Sequence, residues 1–432
     1  MATPSTEVIF PAVFAANIAE FRLNMAPGYR NLRLANLGVT TAGSPAMFTD
    51  AAGVYGIISR VALYDGGTLL DEIVDAFAWL AFQNLRRAGP GRDSGLDHSL
   101  FTPLTASSRS YALSPDGQTL TRVTTRNGAV ATTEAATTAK GWLSVASVLN
   151  FVARSSFIDT RAMPGARLVL ELRTTPDLIF AGDTAAVAAV TPLAPVLLAE
   201  RVTAAEMDAM PLRAVAYTRV LTERVAISGS AAAIVAPAVT PQTAALRLLA
   251  PTGRVVNRIL CAGVRSDAAA AGEVAVDDLK DGSAEIFDGE RWQFSVNGEN
   301  LLPYSGCDSW ARKQHLLWQA WGDVHVPQGG AYQGWTNVNP SVNSLAGLYD
   351  VSRVLDAAPP AAGALSSGPL VGKQSYAGFI VGRRVADLQL RYDRNLTQRR
   401  PGGATLRFFY ECPAAVSGLD PARPASYVVA FA

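Results

Sequence analysis

Histidines, cysteines and a run of carboxylates are the residues of this 432-residue chain whose types could support metal or catalytic chemistry. Cys307, His315 and His325 fall within 19 residues and are candidate zinc ligands. Their spacings of 8 and 10 fit no standard zinc site, and a fourth ligand is not evident. The expectation is a buried thiol and two loop or interface histidines. The third histidine lies in Asp97-His98-Ser99, which has the residue types of a catalytic triad. Adjacency in sequence is not triad geometry, and no GxSxG elbow accompanies it. A polar loop is expected there. Seven carboxylates lie between Glu273 and Glu290: Glu273, Asp277, Asp278, Asp281, Glu285, Asp288 and Glu290. They lack the ligand spacing of an EF loop, so a solvated loop before a strand is expected. A hydrolytic carboxylate pair need only meet in space, and nothing in the spacing selects one. GxxxxGK[ST], a GxGxxG after a strand and HExxH are all missing. No catalytic, cofactor-binding or metal-binding residue is assigned, and no cofactor is expected.

Five of the seven tryptophans fall between residues 292 and 335: Trp292, Trp310, Trp318, Trp321 and Trp335. An exposed row of indoles could stack on sugars. The favoured expectation is that they fill a core and a subunit contact, with Trp292, Trp318 and Trp321 mostly buried. Arg383, Arg384, Arg391, Arg394, Arg399, Arg400 and Arg407 make a locally basic run interrupted by Asp387 and Asp393. It suits a genome-facing or anionic-membrane-facing surface, or ion pairs between subunits. Asn395-Leu396-Thr397 is a glycosylation sequon expected to stay unmodified, since MATPSTEVIF does not read as a secretion signal.

These side chains must be positioned by a chain that is 49% hydrophobic and 17% charged, with 36 Gly and 25 Pro. Such a chain can bury large cores, and its length suits two domains. Frequent turn residues suit many short strands. The net charge of +1 argues against a strongly electrostatic partner for the whole chain. Of 37 basic residues only Lys140, Lys280, Lys313 and Lys373 are lysine, and arginine suits polar interfaces. Three widely spaced cysteines without CxxC indicate a reducing compartment and no disulfide framework. The apolar windows 185–198 and 226–250 are interrupted and Ala-rich, so a soluble chain is expected.

The segment from Val54 to Ala88 reads as a strand, an Asp65-Gly66-Gly67 turn, a second short strand and an amphipathic stretch with Phe77, Trp79 and Phe82. Residues 285–323 repeat the order, with Asn297-Gly298 as the turn and a Trp-bearing stretch after it. Asp65-Gly66 and Asn297-Gly298 are 232 residues apart, as are Leu69-Leu70 and Leu301-Leu302. Pro164-Gly165 and Pro401-Gly402, each before a strand, are 237 apart. The spacing indicates an internal duplication. Alternation of Leu168, Leu170 and Leu172 against Arg167 and Glu171 predicts a half-buried strand. Residues 17–25 suit a short helix, residues 119–140 a hairpin or loop, and 324–374 a long surface loop region. The fold class expected is all-β: two tandem β-sandwiches with a few short helices. The first spans 1–225, a small-residue linker 226–248, and the second 249–432.

The segments ISRVALYDGGTLLDEIVDAFAWLAFQN and VLNFVARSSFIDTRAMPGARLVLELR, with their counterparts at 292–321 and 375–411, resemble motifs of double jelly-roll major capsid proteins. These belong to the lineage of tailless icosahedral DNA viruses, virophages and polinton-like elements. The resemblance implies two jelly rolls and a homotrimer forming a pseudo-hexagonal capsomer in the virion capsid. It also implies contacts with neighbouring capsomers, penton and minor capsid proteins, and an inner face toward a membrane or genome. No small-molecule substrate and no enzymatic activity follow from it. The alternative is a jelly-roll carbohydrate-binding protein or glycoside hydrolase using the Trp-rich second half.

Overall fold

The computed structural model describes residues 5–43, 46–48, 53–86, 110–113, 119–123, 133–138, 141–175, 179–181, 187–230, 234, 238–265, 289–302, 306–308, 310–321, 376–396 and 402–431. Antiparallel strands dominate, and they form where apolar residues recur every second position. In Ala166–Leu172 the residues Leu168, Leu170 and Leu172 are buried, while Arg167 and Glu171 are half-exposed on the other face. The expected helix over residues 17–25 is instead the strand Ile18–Arg22. Ala19, Phe21 and Leu23 are all fully buried, a period of two that no helix can satisfy. Ala16 and Asn17 both have positive φ and join this strand to Val13–Ala15 as a two-residue hairpin.

Eight strands frame a first sandwich, in chain order Thr6–Ile9, Ile18–Arg22, Gly28–Leu37, Ile58–Asp65, Thr68–Val74, Gly141–Ser144, Ala166–Leu172 and Val196–Val202. One sheet runs first, eighth, third, sixth, and the other runs second, seventh, fourth, fifth. A second set is Ala214–Ile227, Thr240–Leu248, Val255–Arg265, Arg291–Val296, Glu299–Asn300, Tyr376–Arg384, Leu388–Leu396 and Ala404–Ser417. Its two sheets have the same two orders. Pairing the first strand with the last across two facing sheets is the double Greek key of a jelly roll. The chain is therefore two jelly rolls in tandem. Short helices Ala76–Arg86 and Trp310–Trp321 each follow the fourth-to-fifth hairpin of their own unit.

This topology confirms one sequence parallel and corrects another. Asp65-Gly66-Gly67 and Asn297-Gly298 both lie in the fourth-to-fifth hairpin. Asn297 (φ 53°) and Gly298 (φ 84°) both lie in the left-handed region that a two-residue hairpin turn demands. Pro164-Gly165, however, precedes a seventh strand, whereas Pro401-Gly402 precedes an eighth. The two turns share residue type but not position. The stretch 226–248 also differs from the expected linker. Thr240–Leu248 is a strand paired along its length with Leu388–Leu396. Ala214–Ile227 pairs residue for residue with Ala404–Ser417, so it lies in a sheet of the second set. Alanine and threonine on a half-exposed strand gave this stretch the composition of a connection.

Connections between framework strands build a further five-stranded sheet in the first half. It contains Ser110–Leu113, Thr119–Val123, Thr133–Thr138, Ala46–Phe48 and Phe180–Ala181. The expected hairpin over 119–140 is its antiparallel pair Thr119–Val123 and Thr133–Thr138. The loop region 324–374 lies outside the described residues.

The second core is strongly aromatic. Trp292, fully buried, sits edge-on to Tyr392 at 4.7 Å between ring centroids, and Phe294 to Phe379 at 4.8 Å. In the first unit, two turns one hundred residues apart in sequence meet. Asp65 accepts a hydrogen bond from the Gly165 backbone N–H at 2.6 Å, and Gly66 N–H donates to the Gly165 carbonyl at 3.0 Å. A Cβ at Gly165 would stand 2.5 Å from the Gly66 nitrogen, so only glycine allows the approach. Gly165→Ala is expected to destabilise the first sandwich by about 1–3 kcal/mol. A thermal melt of the variant equal to the wild type would contradict this.

Candidate assembly interfaces

The chain contains one interface of its own, the joint between the two sandwiches. It arises because Ala404–Ser417 is buried on both faces. Leu406, Phe408, Tyr410 and Cys412 enter the second core, while Phe409 packs with the first. Phe409 meets Trp79 of the Ala76–Arg86 helix with ring centroids 5.5 Å apart. Alongside it, Ala214–Ile227 lies along the fifth strand of the first sandwich. Tyr217 OH donates to the Leu70 carbonyl, Arg219 pairs with Glu72 at 2.7 Å, and Thr222 donates to the Val74 carbonyl at 3.0 Å. Tyr427 adds a hydrogen bond to Asp65 at 2.8 Å, and Ala425 N–H one to the Ala162 carbonyl at 2.9 Å.

At the centre of this joint lies a buried charge cluster. Asp75, fully buried and with φ 58°, ends the fifth strand just before the Ala76–Arg86 helix. Its carbonyl accepts from the Ala78 and Trp79 N–H groups, and its carboxylate stands by the positive end of that helix. Arg224 forms an ion pair with the carboxylate, and Arg407 lies 3.7 Å from it. Arg407 and Arg173 both stack on Phe77, 5.0 Å and 3.9 Å from the ring centroid. Burial pushes the Arg407 guanidinium well down from its ordinary range, helped by repulsion from Arg224 and Arg173. Burial alone pulls Arg173 down to about 9. Asp75 is thus the anion facing a crowd of cations, and both sandwiches contribute to the crowd.

A second buried carboxyl lies at the edge of the joint. Asp71 accepts from the backbone N–H groups of Glu72 and Phe151, each at 2.9 Å, and holds the start of the short Asn150–Arg154 helix. That helix reaches across the joint, where the Asn150 amide donates to the Thr218 carbonyl at 2.6 Å. Burial pushes the Asp71 carboxyl up to about 7, against the pull of the backbone donors and Arg219. A carboxyl raised above its unfolded value holds its proton more tightly when folded. Its contribution to stability is complete below about pH 4 and is lost as pH rises through about 7. The wild-type denaturation midpoint is therefore expected to fall relative to Asp71→Asn between pH 4 and 8. Parallel profiles would refute this assignment.

Among the described residues, those singled out for chemistry do not converge. Cys307 is buried in the second core, where burial pushes its thiol up to about 12, and His315 is exposed on the Trp310–Trp321 helix. His98 and His325 lie outside the described residues. Among the described residues no group of His, Cys, Asp or Glu could hold a metal ion. Of the acidic window only Glu290 is described. It forms a buried ion pair with Lys313 and accepts from Tyr392 OH at 3.1 Å. Trp292 is buried as expected. The side chains of Trp310, Trp318, Trp321 and Phe82 and all of Trp335 lie outside the described set. Arg399 and Arg400 lie outside the described residues, and the described members of the basic run do not form one face. Arg383 pairs with Glu299 and Arg391 with Asp393, while Arg394 is buried and donates to Gln242 and the Gly402 carbonyl. Sequence reasoning missed Asp75, whose only signal is an acidic residue directly before an apolar helical stretch.

No sequence family and no curated protein matches the chain. Solved structures do. The fold defined by the two strand sets is that of the double jelly-roll major capsid proteins. A chain of the Sputnik virophage structure superposes with TM-score 0.54 at 10% identity, covering 100% of this chain and 88% of that one. VP54 of PBCV-1, fitted into a reconstruction of Sputnik, gives 0.53 at 10% identity, covering 100% and 97%. The mavirus major capsid protein gives 0.50 at 10% identity, covering 99% and 90%.

Proposed function

We propose that this chain is a viral structural protein, the major capsid protein of an icosahedral virion, working as a homotrimer that forms pseudo-hexagonal capsomers. The observation that carries the reading is the fusion of two jelly rolls of identical strand order through one sheet face. One chain supplies two like-shaped walls, so three chains in a ring supply six. In support, similar structures at this TM-score include the mavirus and Faustovirus major capsid proteins and a chain of the PBCV-1 virus capsid. In this reading the protein is not an enzyme. Its partners are its own copies, neighbouring capsomers, penton and minor capsid proteins, and the membrane or genome at the inner face. We divide the rolls between Val202 and Ala214, where the short Ala204–Ala209 helix with its Thr203–Glu206 capping box connects them.

Sedimentation of the purified protein and electron microscopy of concentrated material test the reading. The expected result is a trimer that goes on to sheets or shells. A stable monomer that binds glycans would overturn it in favour of a lectin or hydrolase.

A further inference from the structure

We propose that Lys313 and Glu290 join covalently, their side chains condensing to an amide that locks the core of the second sandwich. Lys313 is the only lysine among the described residues, in a chain whose basic residues are nearly all arginine. The difference is chemical. A guanidinium keeps its charge, whereas a lysine that gives up a proton is an amine nucleophile. In the other fully buried pair, Arg407 with Asp75, the cation is arginine. The side chains of Lys313 and Glu290 are each 2% exposed, so bulk water competes for neither group. Two elements bring them together. Glu290 directly precedes the strand Arg291–Val296, and Lys313 lies in the first turn of the Trp310–Trp321 helix. Trp292 and Cys307 exchange two backbone hydrogen bonds, at 2.9 Å and 2.8 Å, and so clamp the start of that strand to the segment before the helix. Aromatic side chains close the site. Lys313 Nζ stands 5.7 Å from the Trp292 ring centroid, and Tyr392 meets the same ring edge-on. The Tyr392 hydroxyl donates to Glu290 Oε1 at 3.1 Å, while Lys313 Nζ contacts Oε2. Cys261 and Cys307, which feel the Lys313 charge, are not rival nucleophiles, since burial pushes both thiols up.

The step is a dehydration and needs no oxidant, reductant or further reactant. One proton passes from the Lys313 ammonium to Glu290 Oε2, which leaves an amine facing a carboxylic acid. The Nζ lone pair attacks Glu290 Cδ, and negative charge develops on Oε1, where the Tyr392 hydroxyl already donates. A second proton moves from Nζ to Oε2, the Cδ–Oε2 bond breaks, and Oε2 departs as water. A Cδ–Nζ amide bond remains, with Oε1 as its carbonyl. Holding the two groups in contact inside a folded core supplies the proximity that such a condensation needs. The product closes residues 290–313 into a covalent loop. It restricts the unfolded chain as a disulfide would, in a protein whose three cysteines are free.

The intact mass of the denatured wild-type chain, together with a tryptic map, tests this bond. The expected result is a mass short by one water, a branched peptide that joins Glu290 to Lys313, and no tryptic cleavage after Lys313. Lys313→Met and Glu290→Leu are expected to keep the full mass. A wild-type chain of full mass, or a missing water that maps elsewhere, would overturn the bond. The wild-type map needs no folded variant. The bond does not depend on assembly, so its failure leaves the capsid reading standing. Tyr392→Phe keeps the ring in the core and removes the donor, so the fraction closed in freshly made protein is expected to fall. An equal fraction overturns the role given to the Tyr392 hydroxyl.

Discussion

Asp75→Ala is expected to lower the stability of the protein by about 3–5 kcal/mol, the cost of breaking a buried ion pair by removing its carboxylate. Asp75 is the carboxylate against which Arg224 and Arg407 are placed, and neither Asp75 nor Arg407 has meaningful contact with solvent. Removing it takes a carboxylate from beside Arg407, whose guanidinium burial, helped by Arg224 and Arg173, already pushes toward the neutral form. The Ala76–Arg86 helix loses a favourable charge at its start as well. Equilibrium denaturation measures the loss. The double change Asp75→Ala with Arg407→Leu is expected to regain part of it, because an apolar side chain of similar reach has no charge to strand. If the single change costs less than about 1 kcal/mol, the range of an exposed pair, then the joint does not depend on this cluster.

Trp292→Ala is expected to cost about 3–5 kcal/mol, and to cost it in the second sandwich. Trp292 is the largest fully buried side chain among the described residues, and it is enclosed by Tyr392 and Phe408, with Lys313 5.7 Å from its ring. Its backbone exchanges two hydrogen bonds with Cys307, so the loop before the Trp310–Trp321 helix hangs on the same residue. Hydrogen exchange resolved by segment should show protection falling in Arg291–Val296, Leu388–Leu396 and Ala404–Ser417 while Ala166–Leu172 keeps its own. Uniform loss through both sandwiches would mean that the two cores unfold as one unit.

How far the sequence reaches can be judged from particular residues. The hairpin turns were legible because turn chemistry is local: Asn297-Gly298 needs positive φ, and few other residue pairs tolerate it. The Leu168, Leu170, Leu172 alternation was legible for the same reason, since a strand with one dry face writes its period directly. Thr240–Leu248 was not, because its outward positions are small or polar and its inward Gln242, Ala244 and Leu246 are only half-buried, with Leu248 alone fully buried at its end. The unit boundary proposed above lies earlier for a related reason, as Ala214–Ile227 is assigned by its partner, residues 404–417, and not by anything within itself. The joint was illegible for a different reason. Asp75 and Arg407 are 332 positions apart, and a charged residue reads as surface until its counter-charge is known.

The register of Ala214–Ile227 with Ala404–Ser417 has a consequence in time. The eighth strand of the first roll, Val196–Val202, is made early enough to close that roll while synthesis continues. Residues 214–227 must then wait for nearly two hundred more before their partner strand exists. Until it does, Phe409, Arg407 and Tyr427 are not there to seal Trp79, Asp75 and Asp65. A nascent chain therefore carries a finished first wall with an unsealed seam, and the seam closes only when residues 404–427 emerge. Under the proposed assembly, ring building that needs the second wall is held back until a chain is nearly whole.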